Sequence, residues 1–229
     1  MPGSWGNVYL IKRLLQNKYM DFVWVVLLFV MHTGAYFVTA HVLTGHHPIH
    51  VALDDVIPYC KPFIVPYVLW YLYIPLLMLW AWWKDRAVLR RQILTLLVGM
   101  LLSYIVFFAY PTVIDFRPEA VGSDVFSWIC RIIYRYDTPP VNALPSLHCS
   151  ETLILYLCTF TVDPFRKQKW IHAAALIMAV LICLSTMFVK QHSALDVATG
   201  LAVAVVAYTF VRLLLLKREA ARTSQPEKT

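Results

Sequence analysis

Long apolar runs alternate with short polar breaks along almost the whole chain. Six runs stand out, at residues 22–43, 63–83, 93–113, 145–162, 170–189 and 193–216. Each is close to the roughly 20 residues that a helix needs to cross a hydrocarbon core of about 30 Å. The runs are continuously apolar rather than alternating, and an open sheet in lipid would leave backbone groups unpaired, so strands are excluded as spanning elements. The pattern predicts an all-α polytopic membrane protein, a six-transmembrane-helix bundle forming one membrane domain over residues 1–229. Residues 1–21 would be a polar N-terminal segment, 22–216 the bundle and 217–229 a polar tail. No repeat and no low-complexity tract interrupts it.

Composition supports this picture. Hydrophobic residues make up 60% of the chain and charged residues 14%, against about 25% charged in soluble domains. The first apolar run is too long for a signal-peptide core and lacks a small-residue cleavage site, so it reads as a retained span. A net charge of +7 raises the question of nucleic acid. The positive residues flank the spans, however, where orientation and lipid headgroups account for them, and no nucleic-acid partner is expected. Their distribution is uneven. The N-terminal segment, the 84–91 and 163–169 connections and the tail hold 14 Lys and Arg, and the other three connections hold 5. Positive loops stay in the cytoplasm, which predicts cytoplasmic termini. Trp and Tyr in the second run include candidates for interfacial anchors. Five cysteines give an odd count. Cys149, Cys158 and Cys183 fall in spans and read as small buried hydrophobes. Cys60 and Cys130 fall in loops on one side, where a disulfide between them is an alternative to two free thiols.

The chemistry concentrates at helix ends on the side away from the positive loops. His192 and Asp196 are four residues apart and so share one helix face. A carboxylate bonded to one imidazole nitrogen fixes the tautomer and sharpens the other as a nucleophile. The plain alternative is a helix-stabilising ion pair, but an ionisable residue just inside a span is costly and usually functional. In Pro145-Ser146-Leu147-His148, proline suits a first helical turn. The following N–H groups are unpaired there and form a ready anion cradle, to which Ser146 adds a hydroxyl. His148 can protonate a leaving alkoxide. Arg117 offers a planar fork that matches phosphate oxygens. Lys190 could also reach phosphate, or simply snorkel at the interface. Arg131 and Arg135 are either solvated or bind a second phosphate. Asp54 and Asp55 either meet a polar headgroup or keep a loop wet; the second is the simpler reading. The loop of about 30 residues between the third and fourth runs is long for a plain connection and so is a candidate functional loop.

Arg117-Pro118, then Pro145-Ser146-Leu147-His148, then Ser185 followed by His192 and Asp196, resembles the type 2 phosphatidic acid phosphatase superfamily. Its three motifs read Lys-x6-Arg-Pro, Pro-Ser-Gly-His and Ser-Arg-x5-His-x3-Asp, and the likeness runs from the third to the sixth run. It implies that His192 is the nucleophile that becomes phosphohistidine, Asp196 its partner and His148 the general acid. Arg117, Ser146 and the amides near Leu147 and His148 would hold the phosphate, with no metal and no cofactor. Three positions depart from the pattern: Tyr110 stands for the first-motif Lys, Leu147 for the Gly and Thr186 for the Arg. Tyr110 stays a candidate for substrate contact, and Lys190 could replace one missing cation. The Leu resembles the branch containing inositol phosphorylceramide synthases, which pass a headgroup to an alcohol acceptor. Three readings follow: a lipid phosphatase at the outer face of the cell membrane acting on a lipid phosphate, a headgroup phosphotransferase with the same residues, and a transporter or lipid-binding protein with a degenerate site. Midplane polar residues would favour the last. The oligomeric state and the lipid are not readable from the sequence.

The charge bias makes a direct prediction. In intact cells Ser123→Cys should be labelled by an impermeant thiol reagent and Lys167→Cys should not. Labelling of the second variant from outside would reverse the topology.

Overall fold

The computed structural model describes residues 18–120, 122–162 and 165–223. Most of the expected N-terminal segment, positions 163 and 164 of the fourth connection and the tail beyond 223 lie outside the described residues. Among the described residues eight α-helices follow in order: α1 Lys18–Val42, α2 Ala52–Val56, α3 Ile64–Lys84, α4 Arg86–Ala109, α5 Val125–Tyr136, α6 Leu147–Phe160, α7 Lys169–Phe188 and α8 Ala194–Thr223. Five of them, α1, α3, α4, α7 and α8, are long and apolar enough to cross a membrane. The run at 145–162 does form a helix, but α6 has only 14 residues. At 1.5 Å per residue it reaches about 21 Å, less than a hydrocarbon core by itself. Its apolar sequence reflects burial by protein: it packs against α3, α4, α7 and α8.

Local chemistry explains the helix ends. Asp85 caps α4 by accepting from the Ala87 N–H at 2.8 Å, and Asp124 caps α5 by accepting from the Ser127 N–H at 3.0 Å. Such caps satisfy donors that the first helical turn leaves open. The Lys61 ammonium lies 2.8 Å from Asp124, ties α5 to the turn before α3, and holds that carboxyl below the usual carboxylate range. At the opposite end of the bundle the buried Asp21 of α1 receives Arg86 and Arg90 of α4, the latter at 3.0 Å. α5 lies in the long loop and is amphipathic, not a span: Cys130 and Ser127 are buried while Val125, Trp128 and Arg131 are exposed. Cys130 sits in a small cluster with Ile64, Tyr67 and Val189. Both it and Cys60 are free thiols, so the disulfide alternative is not realised.

The main core lies where α4, α6 and α8 meet, filled by Leu96, Met100, Ile154, Leu155, Ala204 and Ala207. Gly99 lets α4 approach, because a Cβ there would lie 2.6 Å from Ile154 Cδ1. Gln92 and Thr159 bond each other at 2.8 Å inside this contact, a polar tie between helices of the kind spans use where hydrophobic burial gives no driving force. The outer faces stay apolar: Phe22, Trp24 and Val30 of α1, Leu72 and Leu76 of α3, and Val205 and Phe210 of α8 are all exposed. Lipid is the solvent that such faces fit.

Away from the spans, a two-residue parallel pair joins His47–Pro48 to Thr112–Val113. Thr112 then fixes the approach to α6. Its hydroxyl accepts the N–H groups of Ala143 and Leu144 at 3.1 and 3.0 Å, and its carbonyl accepts that of Asn142 at 3.0 Å.

Candidate active site

Two helix starts meet at one end of the bundle. Ser146 precedes α6, and its hydroxyl accepts weakly from the Cys149 N–H at 3.4 Å. Its own N–H donates to the Asp196 carbonyl in the first turn of α8 at 3.0 Å. Gly200 permits this contact: a Cβ on it would lie 2.5 Å from the Ser146 carbonyl oxygen. No side chain fits there. The crossing places His148 and His192 side by side, with ring centroids 5.7 Å apart.

Each ring is held differently. His192 Nδ1 lies 3.3 Å from the buried Asp196 carboxylate, which also accepts the Ser193 N–H at 2.9 Å. Burial disfavours a charged imidazole, but the Asp196 hydrogen bond and charge outweigh it and raise the pKa above the usual histidine value. That greater basicity falls on the other ring nitrogen, Nε2. His148 packs against Tyr67 and Trp70, with centroids 4.7 and 4.3 Å away. Its Nε2 is buried without a hydrogen-bond partner among the described residues. The His192 segment is pinned as well, since the Thr186 carbonyl accepts the N–H groups of Gln191 and His192 at 2.9 and 3.1 Å.

A cavity of about 370 Å³ opens beside the histidines and is lined by Leu147, His148, Gln191, His192 and Asp137 at its polar end. Arg117 stands one layer behind this wall. Its guanidinium donates to the Asp137 carbonyl at 2.8 Å, to the Asp137 carboxylate at 2.6 Å and to Gln191 Oε1. It also lies 4.8 Å above the Tyr134 ring. Tyr36 of α1 donates to the other Asp137 oxygen at 2.6 Å. Arg117 Nε and Gln191 Nε2 are buried donors without partners among the described residues. The first N–H groups of α6, those of Leu147 and His148, have no intrahelical acceptor. Unused donors and a helix N-terminus beside two imidazoles are suited to an anion.

Other candidates lie elsewhere. Asp54 is neither solvated nor facing a headgroup. It is buried, and accepts from the Ser193 hydroxyl at 2.6 Å, the Ala194 N–H at 2.8 Å and the Val51 N–H at 2.9 Å. It therefore caps α8 from a distant segment. Asp55 is exposed and pairs with His50 at 2.9 Å. Lys190 does not line the cavity: its ammonium donates to the carbonyls of Asp54, at 2.7 Å, and Ile57. Its φ of 53° is the left-handed turn that ends α7. Tyr110 stacks on His47, centroids 4.5 Å apart. Arg131 donates to the carbonyls of Ala120 and Gly122, and Arg135 is exposed in the last turn of α5. Ser146 is buried as a cap and does not reach the cavity wall. Gln191, Asp137, Tyr36 and Gly200 also belong to the arrangement, and no motif spacing points to them. Gln191 was the most accessible of them, directly beside His192.

A family model described as the PAP2 superfamily matches residues 41–210, which include Arg117, the Pro145–His148 turn, His192 and Asp196. The chain belongs to the PAP2 superfamily. No curated protein and no solved structure matches it. Membership makes this a phosphatase or phosphotransferase type of lipid enzyme.

The capping role of Asp54 is open to test in this PAP2 protein. Asp54→Ala removes the acceptor for three donors near His192. It should lower thermal stability by about 1–3 kcal/mol and cut turnover, whereas Asp55→Ala should change neither. Equal, negligible effects of the two substitutions on melting would show that Asp54 does not hold α8.

Proposed function

We propose that this PAP2 protein is a metal-independent lipid phosphatase. It acts on a phosphomonoester or diphosphate lipid at the outer face of the cell membrane, through a phosphohistidine on His192. On this reading α6 and its flanking residues complete six crossings, with both termini cytoplasmic. The observation that carries the proposal is the imidazole pair: one ring oriented by a buried carboxylate, the other with its centroid 5.7 Å away and its Nε2 without a hydrogen-bond partner among the described residues.

In the first step His192 Nε2 attacks phosphorus in line, and the bond to the lipid oxygen breaks. His148 gives that oxygen a proton. Water then attacks the phosphohistidine, His148 takes its proton, the P–N bond breaks and phosphate leaves. The α6 amides and Arg117 meet the phosphoryl charge, Arg117 after exchanging Asp137 for a phosphate oxygen. Most of the rate gain comes from positioning and from charge stabilisation in a dry site.

Headgroup transfer to an alcohol is the second reading. Leu147 favours it, since its side chain lines the cavity where the superfamily motif has glycine. Both readings share the first step, and they separate by what discharges the intermediate. The histidine pair and the unused donors beside it lie at one end of the bundle instead of at a broken helix near its middle, which counts against the transporter reading.

Two outcomes test the proposal. His192→Ala should abolish phosphate release, and Asp196→Asn should leave a residual rate lower by about 10³–10⁴-fold. Acid-labile phosphoenzyme should be trapped in wild type and not in His192→Ala. More than a few per cent of activity in that variant would exclude the phosphohistidine. Separately, chelator-treated enzyme should keep its turnover, because protein donors meet the phosphate charge. A strict need for an added divalent cation would contradict this.

A further inference from the structure

Deeper in the same cavity, within the apolar part of the bundle, the wall carries a carboxylate and a third imidazole. Glu151 follows His148 by three residues, so it lies on the same side of α6 about 4.5 Å further in. It is buried and faces His32 of α1, with Oε1 and Nδ1 3.2 Å apart. The two atoms lack the alignment of a hydrogen bond, and His32 Nδ1 has no other partner among the described residues. Around them the cavity is lined by Leu28, Ile74, Leu96 and Met100. An ionisable pair at this depth is expensive, and such residues mark sites more often than structure. A tie serving only to hold α1 on α6 would be aligned and enclosed, as Gln92 and Thr159 are. This pair instead opens onto the space where a lipid bound at the histidines would run.

We propose that Glu151 and His32 form a subsite for a lipid hydroxyl group, one helical turn deeper than the two phosphoryl-transfer histidines. A hydroxyl both donates and accepts, so it completes the carboxylate and the imidazole together. An ester carbonyl could satisfy only the imidazole, and a bare hydrocarbon chain would leave both groups unpaired. The short offset from His148 places the hydroxyl within a few bonds of the phosphoryl oxygen. Either the phosphorylated lipid carries it, or it belongs to an alcohol bound alongside as acceptor. The inference rests on the reading of the histidine pair given above.

The test uses the full chain in lipid vesicles with 1-oleoyl lysophosphatidate and its 2-deoxy analogue. Wild type should prefer the hydroxylated lipid by about 10-fold or more in kcat/KM, mostly through KM. Glu151→Gln and His32→Gln should each bring that ratio close to one. The ratio is taken within one preparation, so partial unfolding of a variant does not alter it. Adding oleyl alcohol to the deoxy analogue separates the two sources: Glu151-dependent formation of oleyl phosphate assigns the hydroxyl to an acceptor. An active wild type with a ratio near one and no transfer would overturn the subsite and leave the histidine reading intact, as would a ratio that the variants do not change. A wild type inactive on both lipids would overturn the histidine reading and the subsite with it.

Discussion

The contact between the first turns of α6 and α8 is the constraint on which the rest depends. Its centre is one backbone hydrogen bond, from the Ser146 N–H to the Asp196 carbonyl at 3.0 Å, beside a glycine with no room for a Cβ. Two helix starts brought this close point their free N–H groups toward the same end of the bundle, and their first side chains come within reach of each other. His148 and His192 meet there although 44 residues separate them. Neither helix start alone offers more than a weak anion site. Together they place two imidazoles, one of them held by a buried carboxylate, and unpaired donors in one place.

Holding that contact requires polar groups where apolar ones would be cheaper. Asp54, Asp196, Gln191 and Lys190 are all buried at this end. Burying such groups is tolerable only where each finds partners. Asp54 has three donors, and Lys190 closes over two carbonyls. Arg117 is clamped by Asp137 and Gln191. Three of the buried atoms left unpaired among the described residues, His148 Nε2, Arg117 Nε and Gln191 Nε2, lie at the site.

The rest of the bundle serves this arrangement differently at different depths. α6 is short because it is the central helix, wrapped by four others, and its length answers to protein packing more than to bilayer thickness. α1 and α8 turn broad apolar faces outward, as lipid-exposed helices do. Tyr36 and His32 line the cavity on one side of α1. Thus the helix most exposed to lipid also closes the site.

Hydropathy alone was enough to identify an all-α membrane protein and to locate the five long apolar helices among the described residues, although α4 begins seven residues before its apolar run and α8 ends seven after its own. That information is local: a continuous apolar run in lipid has no option but a helix. Motif spacing likewise singled out His148, His192 and Asp196, because a spacing of four into the first turn of a helix and a helix N-terminus are both short-range geometry, and Arg117 stood out by its fork chemistry; His192 itself precedes α8 instead of lying on it. Tertiary structure decided what those signals could not. An apolar run reads the same whether lipid or protein covers it, so nothing local shows that four other helices wrap α6. A loop carboxylate reads the same whether solvated or buried, so nothing local shows that Asp54 caps a helix 140 positions away. Lys190 and Tyr110 are drawn off the cavity by partners in distant segments, the Asp54 and Ile57 carbonyls for one and the His47 ring for the other, while Arg131 bonds carbonyls of its own loop and Arg135 is exposed. Gly200 and Gln191 matter only through what packs against them. Sequence spacing along a helix determined which groups could act; the distance between helices determined which of them meet.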